Sequence, residues 1–269
     1  MPMLQVLRRK NPDAQRARRG MYLLPSLFTL ANMFCGYACI IFATRGEYAT
    51  AAPFIGIAVV LDMLDGRIAR MTGATSEFGK EFDSLADVIS FGMAPAVLAY
   101  SWGLSTYGRL GWAVGFVFVS AAAIRLARFN IQTGANPDKR YFVGMPSPAA
   151  AGVPAATVFA YPFGLTDWYA ALAVPMLLVP ALLMVSTIKY RSFKTFDLGR
   201  RRPVNGLIIA ALGIVAIATF PQWTLLTVAY LYLCSAFVGM ALRARKTSAP
   251  AAAAEAPVDL VARTGSADD

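Results

Sequence analysis

The chain has 269 residues, 57% of them hydrophobic and only 15% charged, where an ordinary soluble domain carries about a quarter charged residues. It holds 25 Lys and Arg against 15 Asp and Glu, a formal net charge of +10, and no histidine. The apolar residues lie in long blocks, several near the ~20 residues that cross a bilayer. This excludes an ordinary soluble domain, and the lack of alternating polarity excludes a transmembrane barrel. A histidine base is excluded outright.

In chain order, residues 1–20 form a polar, basic segment with no cleavable signal peptide expected. Eight apolar spans follow, at about 21–44, 48–70, 83–104, 109–131, 148–164, 167–187, 203–221 and 222–243. The predicted fold is therefore an all-α polytopic membrane protein of about eight transmembrane helices. The tail from about residue 247 is rich in Ala, Pro and polar residues and is expected to be disordered.

Lys and Arg counts set the expected orientation. Twenty-three fall in the N-terminal segment, the connections after spans 2, 4 and 6, and the C-terminus; only Arg45 and Arg109 fall on the other side. The bias puts both termini and the even-numbered connections in the cytoplasm. It also removes the positive charge as a nucleic-acid signal, because no single element gathers it. Cys35, Cys39 and Cys234 each sit in an apolar block and read as small buried hydrophobes.

The acidic residues are concentrated instead. Six of the fifteen lie in residues 61–92, LDMLDGRIARMTGATSEFGKEFDSLADVISFG. Asp62 and Asp65 are three apart and share a helix face, as do Asp83 and Asp87, four apart. A Gly-containing connection separates the pairs, so a helical hairpin brings four aspartates together. Two carboxylates ~4 Å apart repel by about 4 kcal/mol at an effective dielectric of 20, so protons or cations must compensate. Oxygen ligands without imidazole or thiolate favour Mg²⁺ or Mn²⁺. Two such ions on four carboxylates suit phosphoryl or phosphatidyl transfer. The competing readings are a salt-bridged hairpin using Arg67, Arg70 and Lys80, and an ion pathway in a divalent-cation or proton-coupled transporter.

The run Asp62-x2-Asp65-Gly66-x2-Ala69-Arg70-x8-Gly79-x3-Asp83-x3-Asp87 resembles the signature of the CDP-alcohol phosphatidyltransferases at every defined position. The resemblance implies a six-helix catalytic core over residues 21–200, extended by two helices over 201–246. It further implies a homodimer, a CDP-linked lipid donor and two divalent metals. Within the family, the flanks DSLADVISFGMAPA (83–96), RLARFN (125–130), FVGMPSPAAA (142–151) and LMVSTIKYRSF (183–193) resemble the bacterial and archaeal phosphatidylserine synthases. That resemblance implies transfer of a phosphatidyl group from CDP-diacylglycerol to L-serine with release of CMP, at the cytoplasmic face of the cell membrane. The same chemistry on glycerol 3-phosphate or an inositol phosphate is the nearest alternative.

By resemblance, Asp62, Asp65, Asp83 and Asp87 are metal ligands, and Asp87 is also the catalytic general base. Gly66, Ala69, Arg70 and Ser76 are expected at the CDP-lipid, Gly66 through backbone clearance and Arg70 through its fork of donors. Thr29 and Asn32 share a face of the first helix and are assigned to the donor as well, with helix–helix hydrogen bonding the plainer reading. Arg125, Arg128, Lys189 and Lys194 are the candidates for the acceptor carboxylate, against a plain topological role for each. Gly144 to Pro148 reads as a turn before the fifth helix.

Overall fold

A computed structural model describes residues 12–72, 76–132, 141–165, 167–191 and 203–247. The expected N-terminal segment is thus only partly described, and the tail beyond Thr247 lies outside the described residues. Among the described residues there are eight rods, one for each predicted span. They comprise α1 (Pro12–Thr44), α2 (Tyr48–Thr72), a continuous rod of α3 (Glu77–Asp87), a π-helical turn (Val88–Met93) and α4 (Ala94–Trp102), and then α5 (Arg109–Gln132). There follow α6 (Ser147–Ala160), a 3₁₀ turn (Asp167–Leu172) leading into α7 (Ala173–Val185), α8 (Pro203–Thr219) and α9 (Pro221–Thr247). Five of the helical segments are long and apolar enough to cross a membrane: 26–44, 48–71, 77–102, 109–131 and 168–185. Ser147–Ala160 and Gly206–Thr219 are shorter apolar helices. The protein is an all-α polytopic integral membrane protein.

The outward faces agree with that environment. Phe34, Trp112, Phe116, Trp168, Leu182, Leu207 and Ile214 are all exposed, a surface that hydrocarbon covers and water does not. Inside, the helices meet on small residues. Cys35, Cys39 and Ala43 of α1 face Ala51, Ala52, Ile55 and Ala58 of α2 in one buried cluster. Among apolar chains in lipid, such small residues let backbones approach closely, so dispersion contacts replace the hydrophobic effect as the source of packing energy. Both free cysteines of α1 are buried, as their place in the sequence suggests.

Two departures from regular helix matter for the site. Ser76 caps α3, its Oγ accepting the Gly79 N–H at 2.9 Å. The rod therefore starts at Glu77, several residues ahead of the predicted span. Further along, the π turn precedes Pro95, which has no N–H to donate and whose ring would crowd the carbonyl four residues back. The wider turn accommodates both, with the Ala94 N–H reaching back to the Ile89 carbonyl.

The chain also forms a small antiparallel ribbon that no sequence pattern announces. Tyr141–Val143 (β1) pairs with Lys189–Arg191 (β2), in the register Tyr141↔Arg191, Phe142↔Tyr190 and Val143↔Lys189. Gly144 leaves it at φ +82°, and a Cβ there would stand 2.4 Å from the Met184 carbonyl oxygen. Only glycine fits that combination of angle and contact. The Met145 N–H then donates to the Leu183 carbonyl at 2.9 Å, which ties the start of α6 to the end of α7.

Candidate active site

α1, α2 and the α3–α4 rod converge on the aspartates. Asp62 comes from the second half of α2, and Asp83 and Asp87 from consecutive turns of α3. One carboxylate oxygen from each lies within 4.8 Å of the other two. Asp65 stands outside that trio. It is buried and accepts a hydrogen bond from the Thr29 hydroxyl. Asn32, fully buried one turn further along α1, donates through Nδ2 to Asp87 Oδ1 at 3.3 Å. The α1 face of Thr29 and Asn32 thus holds one aspartate from each side of the hairpin.

The same contact fixes the π turn. Ser90 Oγ donates to the Asn32 carbonyl at 2.9 Å. Opposite it, Gly36 has no room for a side chain, since a Cβ there would meet Ser90 Oγ at 2.7 Å and Ser90 Cα at 2.8 Å. Gly36→Ala must therefore push α1 off the turn that carries Asp87. Overpacking of this kind costs about 1–3 kcal/mol. The expected result is a lower thermal midpoint in detergent together with reduced turnover, read by unfolding and activity on the same preparation; an unchanged midpoint would contradict the packing.

Electrostatics single the cluster out. Asp62, Asp65 and Asp83 repel one another, and Asp87 is repelled by Asp62 and Asp83. Among the described residues the one ion pair is Lys80 with Glu77, on the exposed side of α3. No described Lys or Arg forms an ion pair with the aspartates, which disfavours the salt-bridged hairpin. Asp83 Oδ1 is buried and has no hydrogen-bond partner. An orphaned carboxylate oxygen beside two further carboxylates, with only oxygen donors present, fits a hard divalent cation.

Arg125, on α5, brings a positive charge to the cluster. It interacts electrostatically with Asp62 and Asp87, donates through Nη1 to Ser147 Oγ at 2.6 Å, and lies over the Phe129 ring at 6.0 Å. Its Nε is buried without a partner. Asn130 Nδ2, five residues on, donates to Ser84 Oγ at 2.9 Å and ties α5 to α3. The hydroxyl of Ser147, at the start of α6, had no assigned partner in the sequence; only its position after the GMP turn hinted at a placed side chain.

The remaining candidates are placed as follows. Gly66 is partly exposed, and a Cβ there would meet nothing nearer than the Arg70 guanidinium at 3.9 Å, so the backbone is open to a ligand. Ala69 is half-buried and Arg70 exposed on the same helix. Ser76 spends its oxygen on the helix cap. Arg128 is half-buried on α5, Lys189 lies in β2, and Lys194 lies outside the described residues.

Comparison with known sequences identifies the family. The family model described as CDP-alcohol phosphatidyltransferase matches residues 22–189. The chain belongs to the CDP-alcohol phosphatidyltransferase family, a divalent-metal-dependent family of membrane enzymes. It is 44% identical over 179 residues, 65% of this chain and 74% of the relative, to a CDP-diacylglycerol–serine O-phosphatidyltransferase of Helicobacter pylori. It is 33% identical over 227 residues, 81% of this chain and 75% of the relative, to the enzyme of that name from Mycobacterium leprae. An archaetidylserine synthase of Methanothermobacter thermautotrophicus is 38% identical over 170 residues, 62% of this chain and 69% of the relative.

Proposed function

We infer that the chain is a CDP-diacylglycerol–serine O-phosphatidyltransferase of phospholipid synthesis. The observation that carries the reading is the trio of clustered carboxylates, one buried and two half-buried, on two helices of a family member whose relatives bear that name. In the proposed site Asp62, Asp65, Asp83 and Asp87 hold two divalent ions, Mg²⁺ or Mn²⁺. Bound ions of this kind neutralise a pyrophosphate and stabilise the departing phosphate oxygen.

The protein's own groups do the rest. Thr29 and Asn32 hold Asp65 and Asp87 in place, and through them orient the donor. Gly66, with Ala69 one turn on, leaves the backbone open to the nucleotide. Arg70 presents its planar donors to phosphate, and Ser76 starts the helix that faces it. Asp87 takes the hydroxyl proton of serine as the serine oxygen bonds to the lipid-linked phosphorus. The bond from that phosphorus to CMP breaks, and CMP leaves with the electron pair. Arg125 receives the serine carboxylate through the side of its guanidinium that carries the unpartnered Nε; a carboxylate accepts two parallel N–H bonds from such a fork. Arg128, Lys189 and Lys194 supply the outer positive field.

The test is CMP release from CDP-diacylglycerol by the purified protein, with serine, glycerol 3-phosphate and inositol phosphate compared as acceptors. Serine alone is expected to drive release. Equal release with a phosphorylated acceptor would overturn the serine assignment and leave the family chemistry intact. We further propose a homodimer in the cell membrane with both termini and the active site cytoplasmic. Reporters fused after residues 45, 106, 166 and 221 are expected outside, and those after 75, 137 and 196 inside. A reporter after 75 that responds only from outside would refute the orientation, which rests on the distribution of Lys and Arg.

A further inference from the structure

Two contacts set the depth of Arg125 in the bundle. Asn130 of α5 donates to Ser84 of α3 at 2.9 Å. Further along the rod, a Cβ on Gly92 of the π turn would stand 3.3 Å from the Ala122 Cβ and 4.0 Å from the Val119 Cα of α5. The two elements therefore run antiparallel and meet at both ends of this stretch. Asp87 lies between Ser84 and Gly92, and Arg125 between Ala122 and Asn130, so the guanidinium stem and the Asp87 carboxylate start from the same level.

The guanidinium is tethered from α6. Arg125 Nη1 donates to Ser147 Oγ at 2.6 Å, while Nε is buried without a partner. Ser147 is fully buried. It follows the N-cap position of α6, which Pro146 occupies, so the helix does not depend on the serine hydroxyl for a cap. The backbone just ahead of it is fixed by the end of α7: the Gly144 N–H donates to the Ile188 carbonyl at 2.8 Å and the Met145 N–H to the Leu183 carbonyl at 2.9 Å. The serine oxygen is thus an acceptor whose position the fold determines.

We propose that Ser147 is a positioning residue of the acceptor site: by holding Nη1 of Arg125, it reserves the Nε–Nη2 edge of the guanidinium for the carboxylate of the incoming amino acid. This rests on the reading of Arg125 as the carboxylate ligand. A guanidinium has two edges that form paired bonds to a carboxylate, Nη1 with Nη2 and Nε with Nη2. With Nη1 spent on the serine, only the second edge is intact. A side chain already fixed loses little further freedom when the carboxylate arrives, and such preorganisation raises affinity. A neutral hydroxyl also leaves the positive charge for the acceptor, where an acidic anchor would neutralise it. An untethered guanidinium at this depth would swing towards the aspartates and offer the acceptor neither edge.

The experiment compares full-length wild type, Ser147→Ala, Arg125→Lys and the double variant in CMP release, with KM for serine, KM for CDP-diacylglycerol and kcat measured for each. Ser147→Ala is expected to raise KM for serine about tenfold, the worth of one hydrogen bond to a charged group, with KM for CDP-diacylglycerol within about twofold. Arg125→Lys, which keeps the charge and loses the fork, is expected to raise KM for serine at least as far. Adding Ser147→Ala to Arg125→Lys should change that KM by less than about twofold, because residues acting through one contact are not additive. An unaltered KM for serine in Ser147→Ala overturns the proposal. So does an equal rise of both KM values, which marks a packing role, and so does a full multiplication of the two effects in the double variant. Should Ser147→Ala fail to fold, Ser147→Cys decides in its place, since it keeps the volume and its sulfur is a weak acceptor. If Arg125→Lys leaves KM for serine unchanged, the carboxylate reading of Arg125 fails and the inference with it. If Arg125→Lys raises it and Ser147→Ala does not, only the role of Ser147 fails.

Discussion

Asp62→Asn and Asp83→Asn are each expected to cut phosphatidyl transfer by at least the order of 10²–10³-fold that follows loss of one transition-state charge stabiliser, while the protein remains folded. The reason is the mutual repulsion within the trio. Each aspartate contributes an oxygen within 4.8 Å of two others, and at that separation unit charges repel by several kcal/mol, about 4 kcal/mol at 4 Å and an effective dielectric of 20. Replacing one carboxylate by its isosteric amide relieves that repulsion. In chelator, the variants should therefore melt at or above the wild-type temperature. Adding Mg²⁺ or Mn²⁺ should reverse the order. An ion present at a hundred times its dissociation constant stabilises the folded state by about 2.7 kcal/mol, and wild type should gain that increment where the variants gain less. Activity and thermal midpoint, each measured with and without EDTA, check both halves. Full wild-type activity in excess EDTA would overturn the metal reading.

Asp87→Asn is expected to lower kcat by about 10²–10⁴-fold, the usual contribution of a positioned general base, and to weaken donor binding far less. Asp87 accepts from Asn32 through Oδ1, so the proposed proton acceptor is its second oxygen. An amide at that position keeps an acceptor for the Asn32 N–H but cannot take a proton. Donor binding and single-turnover transfer must be measured separately, because KM combines the two. Near wild-type turnover of serine by Asp87→Asn, at saturating metal and donor, would remove Asp87 as the base. Loss of metal binding in the variant would make it a ligand first, since one carboxylate can serve as both.

The helices were legible because hydropathy records what the bilayer selects. Each of the eight predicted spans has its rod, and the ends differ where a helix continues past the apolar region. Residues Glu77–Phe82 carry Lys80 and Glu81, so hydropathy omits them, yet the Ser76 cap starts the helix there. α1 likewise begins at Pro12 within a stretch too basic to read as a span. The pairing of Asp62 with Asp83 and Asp87 was legible from spacing on two adjoining helices. Asp65 was not separable from them in sequence, since its partner Thr29 lies 36 positions away. The Asn32 link to Asp87 spans 55 positions and leaves no local pattern either. The π turn was invisible because VISFGM suits a helix of either pitch; Pro95 was its only trace.

The depth of the carboxylates also decides what kind of concentration the enzyme responds to. Asp62 lies inside the segment 48–71 and Asp83 and Asp87 inside 77–102, both long and apolar enough to cross a membrane. With about 1.5 Å of rise per residue, Asp62 is roughly 15 Å along the axis from the end of α2 at Thr72. A donor lipid can then present its headgroup to the site with its acyl chains still among their neighbours. Lifting those chains into water would cost about 0.8 kcal/mol per methylene, and the placement of the site makes that unnecessary. The two substrates arrive by different geometries, one diffusing in a plane and the other in a volume. For the lipid, the governing quantity is its mole fraction in the surrounding bilayer or micelle, so added inert lipid slows the reaction even when the bulk amount of donor is unchanged.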